Sequence, residues 1–395
     1  MGLLGCMAKE QADLLVYHAQ VYTVDEQFSI AEAFAVKNGR IAAVDHSGDL
    51  RHRYSFKQEL DVQGASVYPG FRDAHCHFIS LGKSLSVANL KGATSYQEVL
   101  KRIAAHHATH PSEWITGAGW DQNLWPELHF PTNEEINRLY PNTPVVLKRI
   151  DGHAIVANKE AIRRVGIKVD DPSTSGIRVI TDEQFLACCQ KAFDAGLQVA
   201  THCIGDAASR NTLKLYSHFL KGENDLRWRI EHAQIVSPED FETFKKYAII
   251  PSVQPTHATS DMSWAIDRVG LRIKGGYAYH DLKNQLGWLP FGTDFPIEEV
   301  NPIHTFFAAV YRKNLDFLPE AGFQPENALS REDALRAMTI WPAKASFDEA
   351  RKGSLEPGKW ADFVILNNDI MTAPEHDLPS TQVIATYIAG QKMNF

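Results

Sequence analysis

Four short apolar runs in this chain each end in side chains able to hold a metal ion, and that ordered succession constrains the fold more than any other feature. The first opens with Tyr68-Pro69-Gly70-Phe71 and closes on His75-Cys76-His77; the others are Val199-Ala-Thr-His202, Trp228-Arg-Ile-Glu-His232 and Leu289-Pro-Phe-Gly-Thr-Asp294. Side chains on a strand alternate with a period of two, so a strand running into His-x-His predicts His75 and His77 on one face. Two neutral imidazoles side by side make a bidentate site for a divalent cation such as zinc. An isolated pair of this kind is common and usually idle; the later runs give it weight. Apolar strands that each end in a functional group are the pattern of a (β/α)8 TIM-like barrel, whose active sites lie at the C-terminal ends of parallel strands.

Length and composition agree with that fold class. A chain of 395 residues, 44% hydrophobic, can bury a large core and has room for an accessory domain. The net charge of −8 is mild and spread along the chain, which does not suggest nucleic acid or an acidic surface as partner and leaves a small-molecule substrate as the expectation. Five cysteines without paired spacing do not describe a disulfide framework. No apolar run is long enough to span a membrane. Leu3-Leu4-Gly5-Cys6 resembles the end of a bacterial lipoprotein signal, although the charged and apolar regions of such a signal are not in front of it. Two localisations therefore stay open: cytoplasmic, or periplasmic and membrane-anchored through Cys6. A homo-oligomer is compatible with everything in the sequence.

Both ends of the chain read as strands. Residues 14–17, 21–24, 33–36 and 41–44 alternate and turn, with Asn38-Gly39 marking a tight hairpin; residues 363–366 and 383–387 match them. The two ends predict one small β-sandwich, 12–66 with 350–395, beside a barrel over 67–349 that carries an insertion around 84–176. Within that insertion a helix over 95–108 brings His106, His107 and His110. Adjacent histidines do not share a helix face, so a solvated helix end is the expectation there. Trp120, in Gly119-Trp-Asp-Gln-Asn123, is a candidate pocket residue or a packing residue. His153, just beyond the strand 145–150, is a candidate substrate contact or a loop histidine bonded to backbone.

The motifs together resemble the metal-dependent amidohydrolase superfamily, most closely its amidohydrolase-3 branch of exoenzyme-like and N-substituted formamide deformylase-like proteins. The matching stretches are the run 36–44, the His75/His77 segment, Gly119 to Asn123, Asp151-Gly-His153, His202-Cys-Ile-Gly-Asp206, Arg229-Ile-Glu-His232, Gly292-Thr-Asp294 and Gly353 to Phe363, in the family's order. The resemblance implies a barrel with a composite β-domain and a hydrolase acting on a non-peptide carbon–nitrogen bond: an amide, a formamide or a cyclic amide. It implies His75, His77, His202, His232 and Asp294 around the metal, with Asp294 moving protons and His232 orienting water or polarising the substrate. In that family Trp120 and His153 would border the substrate. One departure matters. Between residues 150 and 199 the family has a longer stretch with a lysine that, once carboxylated, bridges two metals. No lysine here stands in that setting, so a barrel segment is expected to be deleted and one ion, most naturally zinc, is favoured over two. Metal-activated water, its pKa lowered from about 15.7 to roughly 7, would attack the carbonyl. A deaminase or isomerase on the same ligands, and a metal-binding remnant without turnover, are the alternatives.

Overall fold

The computed structural model describes residues 9–166 and 180–394. Its fold is mixed α/β, and the chain divides into two compact units. The first takes in the chain up to His75, then Asp182–Thr293, then Asn301 onwards; the second is Cys76–Thr181 with Asp294–Val300. Cys6, and with it the lipoprotein motif, lies outside the described residues, as do residues 177–179 of the short apolar run 177–180, which the sequence offers as a shortened strand. No described helix is long and apolar enough to cross a membrane.

In the first unit the strands from the two chain ends share one sheet. Phe363–Leu366 pairs antiparallel with both Ser66–Pro69 and Val383–Ile388, and Ser66–Pro69 continues in parallel to Gln20–Tyr22. A second sheet orders Arg40–Asp45, Ala33–Lys37, Glu10–Tyr17 and Tyr54–Asp61. Alternation does the packing: Leu14, Val16, Phe34 and Val36 from this sheet meet Val67, Phe363, Ile365 and Tyr387 from the other in one apolar core. Asn38 and Gly39 both take positive φ, 51° and 75°, as a two-residue hairpin that matches strand twist requires.

The same unit carries a three-stranded parallel sheet, Ala200–Cys203 beside Arg229–His232 beside Ile250–Ser252. Its register sets His202 opposite Glu231 and Glu231 opposite Ser252. The second unit has its own sheet, in which Ala88–Asn89, Ile115–Trp120 and Val145–Arg149 run parallel and Ile155–Ala157 closes antiparallel. No sheet among the described residues closes into a barrel.

Two expected barrel strands are absent as strands. Extended pairing of the first ends at Pro69, so His75 and His77 do not stand on a strand. The reason is a rapid change of partner: Gly70 N–H donates to Asp362 O, Arg72 N–H to Met338 O and Ala74 N–H to Phe291 O, while Asp73 Oδ1 accepts from His75 N–H and turns the chain. The run ending at Asp294 makes one isolated bridge, Val253 to Phe291, because Pro290 has no N–H to extend a ladder.

Candidate metal centre

The two units each carry part of the predicted ligand set. In the first, the imidazoles gather on His232. Its ring centroid lies 4.5 Å from that of His202, 4.8 Å from His75 and 5.9 Å from His257. His232 ends its strand with a left-handed φ of 73° and is 4% exposed. That turn takes its side chain out of the alternation that Glu231 obeys. His202 stands on the edge strand and is exposed; His257 is buried on the short helix Pro255–Asp261, and its ligand nitrogen lies within 4.8 Å of that of His232.

Glu231 orients this group. Its Oε2 lies 3.0 Å from His75 Nδ1, and its Oε1 pairs with Arg229 Nε at 2.5 Å. A carboxylate can only accept, so the bond puts the proton on His75 Nδ1 and the ring lone pair on Nε2, the nitrogen a metal would take. Arg229 is two residues away in the sequence, whereas His75 is 156 residues away and is brought to Glu231 by the fold. Asp73 holds the backbone of the same segment, accepting from Thr293 Oγ1 at 2.6 Å, Thr293 N–H at 3.1 Å and His75 N–H at 3.0 Å. Burial pushes its carboxyl above the ordinary 3.8, against the pull of those donors. Gly292 completes the fit, since a Cβ there would lie 2.6 Å from both N and O of His75. Only glycine lets the two segments run this close.

In the second unit His77 and Asp294 come together. His77 Nε2 lies 3.0 Å from Asp294 Oδ1, and His77 N–H donates to Phe295 O at 2.8 Å. Asp294 is 4% exposed with φ 60°, while the His77 side chain is half exposed. His153 stands in the loop after Val145–Arg149, its side chain 66% exposed, its N–H donating to Asp151 Oδ1. Trp120 is placed differently from the pocket reading. It is 1% exposed, its indole donates to Leu147 O at 2.9 Å, and it packs on Trp125 and Phe130; the structure makes it a core residue of this unit. Lys148, on the strand Val145–Arg149, is exposed.

Glu231, Asp73 and His257 are the members that sequence reasoning passed over. His257 had a usable signal, a histidine in the first turn of a Pro-started helix directly after a parallel strand.

This donor set fits a divalent late-transition metal: several imidazoles, one with its tautomer set by a carboxylate, and a separate buried carboxylate. The sequence profile of the Amidohydrolase family matches residues 58–184 and 170–393, two segments that meet at 170–184. Protein LONG AFTER FAR-RED 3 of Arabidopsis thaliana is 25% identical over an alignment of 538 residues covering 97% of this chain and 91% of that protein. An alignment that much longer than the 395-residue chain means the relative carries a long stretch this chain lacks. An N-substituted formamide deformylase of Arthrobacter pascens is 32% identical over 177 residues, 44% of this chain and 33% of that one. An uncharacterized metal-dependent hydrolase from Pyrococcus horikoshii shares the fold, with TM-score 0.72 at 23% identity over 92% of this chain and 99% of its own.

Proposed function

The chain belongs to the Amidohydrolase family, and from that premise we propose that it hydrolyses a non-peptide carbon–nitrogen bond of an amide or formamide with the help of one divalent metal ion, zinc by preference. The observation that carries this reading is the gathering of His75, His202 and His257 on the buried His232, with Glu231 fixing the tautomer of His75. The family's barrel is the proposed architecture in which these groups work, shortened by the segment missing around 170–184. The proposed ligands are His75, His77, His202, His232 and Asp294.

When bound, the cation lowers the pKa of a water and polarises the carbonyl to be attacked. The remaining work falls to the protein. Asp294, buried and 3.0 Å from His77 Nε2, takes the proton of the attacking water on a carboxylate oxygen and passes it to the departing nitrogen. His77 steers that carboxylate. His232 orients the water or polarises the carbonyl oxygen, and His153, exposed in its loop, contacts the substrate. The absence of a lysine in the bridging setting supports one ion over two, since two close cations need extra negative charge between them.

The first substrates to test are N-substituted formamides, because the similarity to the deformylase, 32% identity, extends over 177 residues. Asp294→Asn, assayed for metal by elemental mass analysis and for turnover on a formamide and amide panel, should keep its ion and lose about 10²–10⁴-fold in kcat. Undiminished turnover with the ion in place would remove Asp294 from the proton-transfer role.

A further inference from the structure

We propose that the C-terminal end of the helix Tyr96–Thr109 carries a second site for a late-transition-metal divalent cation, built from His106, His110 and His107, none of which belongs to the candidate metal centre. His106 and His110 are one helical turn apart and therefore lie on one face. Their rings stack with centroids 4.7 Å apart and planes 12° from parallel. His110 N–H donates to His106 O at 2.8 Å, which holds the last turn closed and fixes the spacing of the two rings.

Thr109 Oγ1 holds the His110 ring through a 2.9 Å contact with Nδ1, and the same hydroxyl lies 3.2 and 3.1 Å from the carbonyl oxygens of Ala105 and His106. With Nδ1 engaged in this way, Nε2 is the nitrogen that His110 offers to a cation. The helix end adds a general attraction, since its last carbonyls present the negative pole of the dipole to a cation.

His107, adjacent in sequence, would point away on an uninterrupted helix. The helix stops here and Pro111 turns the chain back, so His106, His107, His110 and Pro111 all line one cleft of about 310 Å³ with Ser86 and Ile115. The helix end is solvated as the sequence leads one to expect, with His110 exposed and His106 and His107 part-buried, and the three imidazoles form one wall of the cleft. His107 Nδ1 is buried in that wall and makes no hydrogen bond among the described residues, which is costly for an imidazole nitrogen and is relieved by a ligand. In the stacked arrangement the two outer rings do not converge, so the proposed binding requires them to rotate about their side-chain torsions. Imidazole donors select Ni²⁺, Cu²⁺ and Zn²⁺ over Mg²⁺ and Ca²⁺.

The test is calorimetric titration of the full zinc-loaded chain with NiCl₂, comparing the parent with His106→Gln, His110→Gln and the double variant. The parent should bind one further Ni²⁺ per chain. Each single variant should weaken that binding at least tenfold and the double variant abolish it, with thermal midpoint and hydrolysis unchanged. His232→Ala should keep the additional Ni²⁺, which separates this site from the proposed catalytic one. Equal Ni²⁺ binding by the parent and the folded single variants would overturn the proposal, as would a parent that binds none.

Discussion

At the scale of single residues, the chemistry turns on which nitrogen of each histidine carries its proton. Glu231 decides this for His75 through the 3.0 Å bond, and Arg229 holds Glu231 in place. Glu231→Gln keeps the shape but can present an amide N–H to His75 Nδ1 and loses the charge. Metal affinity, measured by competition with a chromophoric chelator, should fall about 10–100-fold, as for other carboxylates behind metal-binding histidines. Unchanged affinity would reduce Glu231 to a packing residue. The histidines at 75, 77, 202 and 232 and Asp294 stand out in the sequence because each closes an apolar run. Glu231 was legible only in half: its arginine is two residues away on the same strand face, whereas its histidine is brought near by the fold. Trp120 shows the opposite failure, since an aromatic residue after a strand reads the same whether it borders a pocket or fills a core. Here its indole N–H finds a backbone carbonyl and the ring is buried.

At the scale of elements, the terminal strands and the Asn38-Gly39 hairpin could be read because alternation and turn residues act locally. The segment carrying His75 and His77 could not. Its N–H groups go to Asp362, Met338 and Phe291 in turn, and a period-two pattern holds no record of which strand accepts a hydrogen bond. Close approach replaces regular pairing there, and Gly292 permits it. Gly292→Ala would force a methyl to within 2.6 Å of the His75 backbone, with an expected cost of about 1–3 kcal/mol in stability and weakened metal binding. Denaturant unfolding and metal content check this; a variant equal to the parent in both would mean the segments separate without consequence. The same segment is anchored by Arg72, whose guanidinium bonds Asp348 Oδ2 at 2.8 Å and holds that carboxyl below its ordinary 3.8. A lowered carboxyl pKa stabilises the fold fully above 3.8, and that stabilisation is lost as pH falls through the lowered value. Asp348→Asn should therefore lose stability at neutral pH and show a shallower acid limb than the parent; parallel pH–stability curves would contradict the assignment.

At the scale of the whole molecule, family and reaction class were legible because the motifs run in order along nearly the entire chain. Closure of the barrel was not, because closure is a property of many strands at once and a segment of the family's sequence is missing. The matching profile breaks at 170–184, and the alignment of 538 residues leaves a long stretch with no counterpart here. Among the described residues the three-stranded sheet has Ala200–Cys203 at its edge, with His202 exposed on it. The central claim is that this shortened chain still holds a catalytic ion. Elemental mass analysis of protein purified without chelator, passed through gel filtration to strip weakly held ions, tests it most directly when run beside His232→Ala. The account predicts one divalent ion per chain in the parent and none in the variant. A parent without metal, or a variant that retains it, would contradict the account.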